Sequence, residues 1–198
     1  MPRTALCLRR IAAAAIGIAL CLLSFPAAAG KLIELRGWSF AGEDRPSFTI
    51  ARDTTVKHAG AASARLSAAN EPKAFGSLIQ SVEAQNYLGK RIRFRAWTKT
   101  SGVAGFAGLF VRVEGVRAEN TLAFDNMQDR PIKGDTEWTQ RSVVLDVPPS
   151  ATRIHFGVML SGKGTVWLDD GELAEVSKDV PTTGVKRDDA PKNLDFEK

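Results

Sequence analysis

His58, His155 and the adjacent carboxylates Asp169 and Asp170 are the residues of this 198-residue chain best suited to proton transfer or metal binding. The two histidines fall in separate segments. Neither belongs to a Gly-x-Ser-x-Gly elbow, a His-Glu-x-x-His run or a glycine-rich phosphate loop. Neighbouring residues of a strand point to opposite faces, so Asp169 and Asp170 are not expected to act on one substrate as an acid–base couple. Both cysteines, Cys7 and Cys21, precede the body of the chain, which is left without a thiol or a disulfide. Catalysis needs converging nucleophiles, acids, bases or metal ligands. The expectation is a protein that is not an enzyme.

The elements that must carry these residues read as strands. In Arg153–Ser161, Ile154, Phe156, Val158 and Leu160 share one parity, and Arg153, His155, Gly157 and Met159 the other. The Ser-Gly-Lys-Gly break after Leu160 predicts a tight reversal into Thr165–Leu168. A second alternating run sets Arg91, Arg93, Arg95, Trp97 and Lys99 against Ile92, Phe94 and Ala96; its polar side reads as a solvated sheet face. Strands are expected at Leu32–Arg36, Ser47–Ala51, Ala62–Ser67, Phe75–Glu83, Arg91–Lys99, Gly105–Glu114, Thr121–Phe124, Thr139–Val147, Thr152–Ser161 and Thr165–Val176. Turn residues separate them, and no helical period intervenes. This predicts an all-β fold, an antiparallel β-sandwich. Trp38, Trp138 and Trp167 are expected to pack in the core or at its rim.

Residues 1–29 read as a cleaved signal peptide: Arg3, Arg9 and Arg10, an apolar run from Ile11 to Phe25, and Ala27-Ala28-Ala29. The run is shorter than the ~20 apolar residues of a membrane span. A periplasmic or secreted protein is expected, with no membrane span after cleavage. The formal charge of +5 falls to +2 once the three leader arginines are removed. Little of the basic excess remains to support a nucleic-acid partner. Residues 30–178 are expected to form the binding module. Residues 179–198, charged and poor in apolar side chains, read as a flexible tail. Within that tail, Asn193–Glu197 stands as either a stub of a second module or a completing strand.

His58–Leu66, Tyr87-Leu88-Gly89-Lys90 leading into Phe94–Trp97, Trp138 with Val147-Pro148, and Trp167–Asp170 together resemble the galactose-binding-like jelly-roll modules, which include many carbohydrate-binding modules. Phe124–Ile132 further resembles a bacterial subgroup often labelled transcriptional regulators, although no helix-turn-helix pattern is present here. The resemblance implies a jelly roll spanning about Gly37 to Val176. It implies that Phe110, Arg112, Arg153, His155 and Met159 share a ligand-seating sheet. An aromatic ring and planar donors there suit a sugar or a carboxylated oligomer. It also implies a possible structural calcium, with Asp170 and Glu34 as side-chain ligands and carbonyls from the Lys57–Gly60 loop. The function expected is that of an exported, non-catalytic module recognising glycan or a cell-envelope polymer. The rival is a protein-interaction or structural adaptor.

Overall fold

The computed structural model describes residues 35–117 and 120–184. Glu34, the expected signal peptide and Asn193–Glu197 lie outside the described residues. The strands are β1 (Ser39–Ala41), β2 (Thr49–Asp53), β3 (Ser63–Ala68), β4 (Gly76–Glu83), β5 (Arg91–Glu114), β6 (Thr121–Asp125), β7 (Ile132–Asp146), β8 (Arg153–Ser161) and β9 (Gly164–Val176). Two single-turn 3-10 helices, Arg45–Ser47 and Gln85–Tyr87, are the helical elements among the described residues. No helix there is long and apolar enough to cross a membrane.

Every pairing is antiparallel, and β5 is the axis of the sheet. Its 24 residues replace two expected strands. Along one edge β8 pairs with Phe106–Glu114 and β9 with Arg91–Ser101; along the other, β6 pairs with Val111–Glu114 and β7 with Arg91–Ala107. The sheet folds over at the middle of β5. One half contains β7, the N-terminal part of β5, β9, β3 and β2; the other contains β6, the C-terminal part of β5, β8, β4 and β1. The fold is thus the β-sandwich that the alternation implied.

The fold-over overturns one expectation. Gly162-Lys163-Gly164 does not close a hairpin: β8 and β9 do not pair with each other, β8 lying along the C-terminal half of β5 and β9 continuing along its N-terminal half. The glycines instead turn a corner. There the backbones approach so closely that a Cβ on Gly164 would stand 2.7 Å from the Cα of Val103. Inward-facing residues of β5 change parity at the same corner. Ile92, Phe94, Ala96, Thr98 and Thr100 face inward before it, and Val103, Ala107, Leu109, Val111 and Val113 after it. The register shifts between Thr98 and Ala107 absorb the change.

The core joins both halves. Phe94 of one meets Phe156 of the other at 5.0 Å between ring centroids, surrounded by Leu66, Ile92, Leu78, Leu109 and Ile154. Burying each such side chain contributes about 1.5–3 kcal/mol. The chain beyond the expected module boundary at Lys178 still binds the body. Arg91 Nη1 donates to the carbonyls of Lys178 and Val180, and Thr183 exchanges backbone and side-chain bonds with Val144.

Candidate functional site

Parity and register place the five expected binding residues on one outer face. Arg112 lies opposite His155, Phe110 opposite Gly157, Gly108 opposite Met159 and Glu114 opposite Arg153. β4 adds Ser77, Ile79, Ser81 and Glu83 beside them, and β6 adds Phe124 beside Arg112. Phe110, Arg112, Arg153, His155 and Met159 therefore lie on one side of the sheet. Their exposure does not follow the expectation. Phe110 and Met159 are each only 6% exposed, so neither offers a free platform. Gly108 lacks the side chain that would collide with Asn126 and Met127, and the β6–β7 loop settles there beside them. The exposed ring on this face is that of Phe124, at 45%.

The polar centre is a relay across three strands. Ser81 Oγ lies 2.7 Å from His155 Nδ1, and His155 Nε2 lies 3.0 Å from Glu114 Oε2. The other oxygen of Glu114 is ion-paired with Arg112 Nη2 at 2.5 Å, though not in hydrogen-bonding alignment. Arg153 donates to Glu83 at 2.6 Å. Sequence reasoning missed Ser81, Glu83, Glu114 and Phe124. Arg112 and Glu114 share parity two residues apart, a signal of a common face. Ser81 and Phe124 required the register.

The opposite outer face, on the β7–β9 half, holds Trp97, Trp138 and Trp167 half-exposed, while Trp38 packs edge-on against Phe156 of the core. The His58 ring stacks on Trp97 at 3.9 Å and meets Trp138 edge-on. Here the strict alternation assumed for Asp169 and Asp170 fails. Asp170 has φ +48°, and two residues of β9 lie opposite one of β5, a bulge. Both carboxylates consequently address one residue: Asp169 Oδ2 accepts from the His58 amide at 2.8 Å, and Asp170 Oδ2 meets His58 Nδ1 at 2.8 Å. Asp169 also accepts the amide of Ala59.

That arrangement does not fit the calcium implied for Asp170. Two amides of the Lys57–Gly60 loop, those of His58 and Ala59, donate to Asp169, and Asp170 is taken up by the His58 ring, whereas calcium takes six to eight oxygens. Among the described residues no three His, Cys, Asp or Glu side chains converge on one point. A chelator is expected to leave the melting temperature of the protein unchanged. A drop that calcium restores would contradict this reading, since a ligand held only by the native state raises its stability by mass action.

Beside β6 runs a groove of about 560 Å³ lined in part by Phe124, Asp125, Asp129, Asp146 and Thr183. Its wall is braced by Asp125. The carboxylate accepts from Arg130 Nη2 at 2.5 Å, from the Met127 amide at 2.8 Å and from Thr183 Oγ1 at 2.5 Å. Burial alone would raise the Asp125 pKa, but these donors outweigh it and hold the carboxyl below the usual range. The hydrogen bond that the Met127 N–H donates to the Asp125 carboxylate also steadies Met127, a buried side chain on a left-handed backbone at φ +59°.

No protein-family model matches the chain. A relative in Bacillus subtilis (strain 168), named as the uncharacterized HTH-type transcriptional regulator YbfP, is 39% identical over 170 residues. The match covers 83% of this chain and spans 57% of the relative's length. The described residues contain no α-helix and so no helix-turn-helix. Among solved structures, the enzymatically active domain of tailspike protein 4 of bacteriophage CBA120 matches 71% of this chain and 19% of its own, with 15% identity and a TM-score of 0.55. A family 16 carbohydrate-binding module matches 65% of this chain and 86% of its own, with 17% identity and a TM-score of 0.52. The CBM22-1 xylan-binding domain of Paenibacillus barcinonensis Xyn10C matches 72% of this chain and 87% of its own, with 14% identity and a TM-score of 0.50. At such identities the likeness is one of fold: this chain is built as carbohydrate-binding modules are.

Proposed function

We propose that the outer face centred on His155 binds a glycan or another cell-envelope polymer. The observation that carries this reading is the convergence, on one sheet face, of an exposed ring, Phe124, with the guanidinium groups of Arg112 and Arg153 and the His155–Ser81 pair. A ring can stack on a pyranose, and planar donors bond its hydroxyl or carboxylate oxygens. The fold shared with carbohydrate-binding modules supports the same reading. Export belongs to the proposal as well, with Gly30 as the first residue of the mature protein, a mass that can be read on material recovered outside the cytoplasm.

Binding to a panel of soluble glycans and envelope polymers tests the face. Phe124→Ala and Arg112→Ala are expected to weaken binding by about 1–3 kcal/mol, roughly fivefold or more, with the fold retained. Arg93→Ala and Arg95→Ala, on the other half of the sheet, serve as controls and should leave affinity unchanged. Loss of binding in the controls, with Phe124 and Arg112 silent, would place the site on the wrong face. Indifference to every sugar together with capture of one protein partner would favour the adaptor reading instead.

A further inference from the structure

Glu114, His155 and Ser81 form a line whose order has a chemical consequence. A carboxylate 3.0 Å from His155 Nε2 fixes the proton on that nitrogen. Nδ1 is then the bare acceptor, and it stands 2.7 Å from the Ser81 hydroxyl. Glu114 is held for this task from two sides. Its side chain is 7% exposed and ion-paired with Arg112, and its backbone carbonyl accepts the Thr152 amide at 2.8 Å. The β5–β6 register shifts between Val113 and Glu114, the kind of irregularity that re-aims a side chain. Ser81, at the other end of the line, is exposed; β1 pairs with β4 only along Ser77–Ile79.

We propose that Ser81 is a nucleophile, with His155 as its general base and Glu114 as the residue that positions the imidazole, and that this face cleaves carboxylic esters of sugar hydroxyls. The sugar in that substrate rests on the glycan reading above; the nucleophile does not. Ser81 Oγ adds to the ester carbonyl as its proton passes to His155 Nδ1. The C–O bond to the alcohol breaks, and the alcohol leaves with that proton. Water then adds to the acyl-serine, giving its proton to Nδ1. The Oγ–C bond breaks and Oγ takes the proton back, so ester and water become acid and alcohol. Arg153, two residues from His155 on the same face and paired with Glu83 of β4, contributes positive charge to the side of His155 that holds Ser81, which favours negative charge gathering on the carbonyl oxygen.

The full chain can be treated with a fluorophosphonate and mapped by mass, with hydrolysis of p-nitrophenyl acetate followed in parallel. One adduct, on Ser81, is expected. Ser81→Ala and His155→Gln should lower hydrolysis by about 100-fold, and Glu114→Gln by roughly tenfold with a displaced pH profile of acylation. The groups around His155 that shape this profile are Glu114, Arg112, Arg153 and Glu83. Should Glu114→Gln fail to fold, the exposed Ser81→Ala variant and the fluorophosphonate map decide alone. No adduct on Ser81 in folded protein, or hydrolysis unchanged by Ser81→Ala, overturns the proposal whether or not glycans bind. Labelling of Ser81 without glycan binding upholds the nucleophile and removes the sugar from its substrate.

Discussion

Asp125→Ala should destabilise the protein by about 3–5 kcal/mol in chemical denaturation, the range for removing one partner of a buried ion pair. The side chain is 2% exposed and accepts from Arg130, Thr183 and the Met127 amide. Its loss strands a half-buried guanidinium, frees the segment through Thr183, and removes the bond that steadies the left-handed Met127. Acid should do part of the same work. Asp125 is held below the usual carboxylate range, as is Asp53, where burial is outweighed by the Val56 amide, Thr55 and the Trp167 indole. Asp146 is lowered to about 2, chiefly by Arg91, against burial and with help from Lys178. A carboxyl whose folded pKa is depressed binds its proton first in the unfolded chain. The stability that Asp146 contributes is therefore complete above the unfolded value, about 3.9, and is lost as pH falls toward about 2, and acid weakens the contributions of Asp125 and Asp53 in the same direction. Asp125→Ala should flatten that acid slope; an equally steep slope in the variant would count against this assignment.

Gly157→Ala is expected to cost about 3 kcal/mol or more, at the upper end of overpacking effects, or to prevent folding. Gly157 sits in the middle of β8, between Ile79 of β4 and Phe110 of β5. A Cβ there would penetrate the carbonyl of Leu78, a backbone atom that cannot rotate away. The neighbouring strand would have to move, and with it Ser81 and His155. Melting curves and denaturant midpoints measure the cost. A Gly157→Ala variant as stable as the parent would mean that β4 and β8 lie farther apart than described.

The sequence is legible where the chain alternates and opaque where strands meet. Arg153–Ser161 forms β8 with the predicted faces, because alternate side chains of a strand must take opposite sides. Phe110, Arg112, Arg153, His155 and Met159 lie on one side of the sheet, as parity requires. Phe110 and Met159 are nonetheless buried, and a loop 16 or more residues from Phe110 along the chain settles against Gly108 beside them, which no local pattern encodes. Glycines between two alternating runs license a hairpin and a corner equally well, so Gly162–Gly164 was open to the wrong reading. Thr98 and Thr100 look like surface residues, yet they are buried where β5 changes parity. The Ser81–His155–Glu114 line joins residues 33 or more positions apart in the chain. Register creates it, and register is a property of the folded sheet.

One consequence of β5 concerns how the molecule opens. At about 3.3 Å per residue, this strand extends roughly 80 Å around the corner. Both halves of the sandwich hang on the same backbone, so neither can separate without tearing pairings of the other. Local openings that let amide protons exchange, or let a protease seize an extended segment, are suppressed in favour of one global event. A body with no cystine to hold it gains in this way a lifetime set by the rarest of its fluctuations.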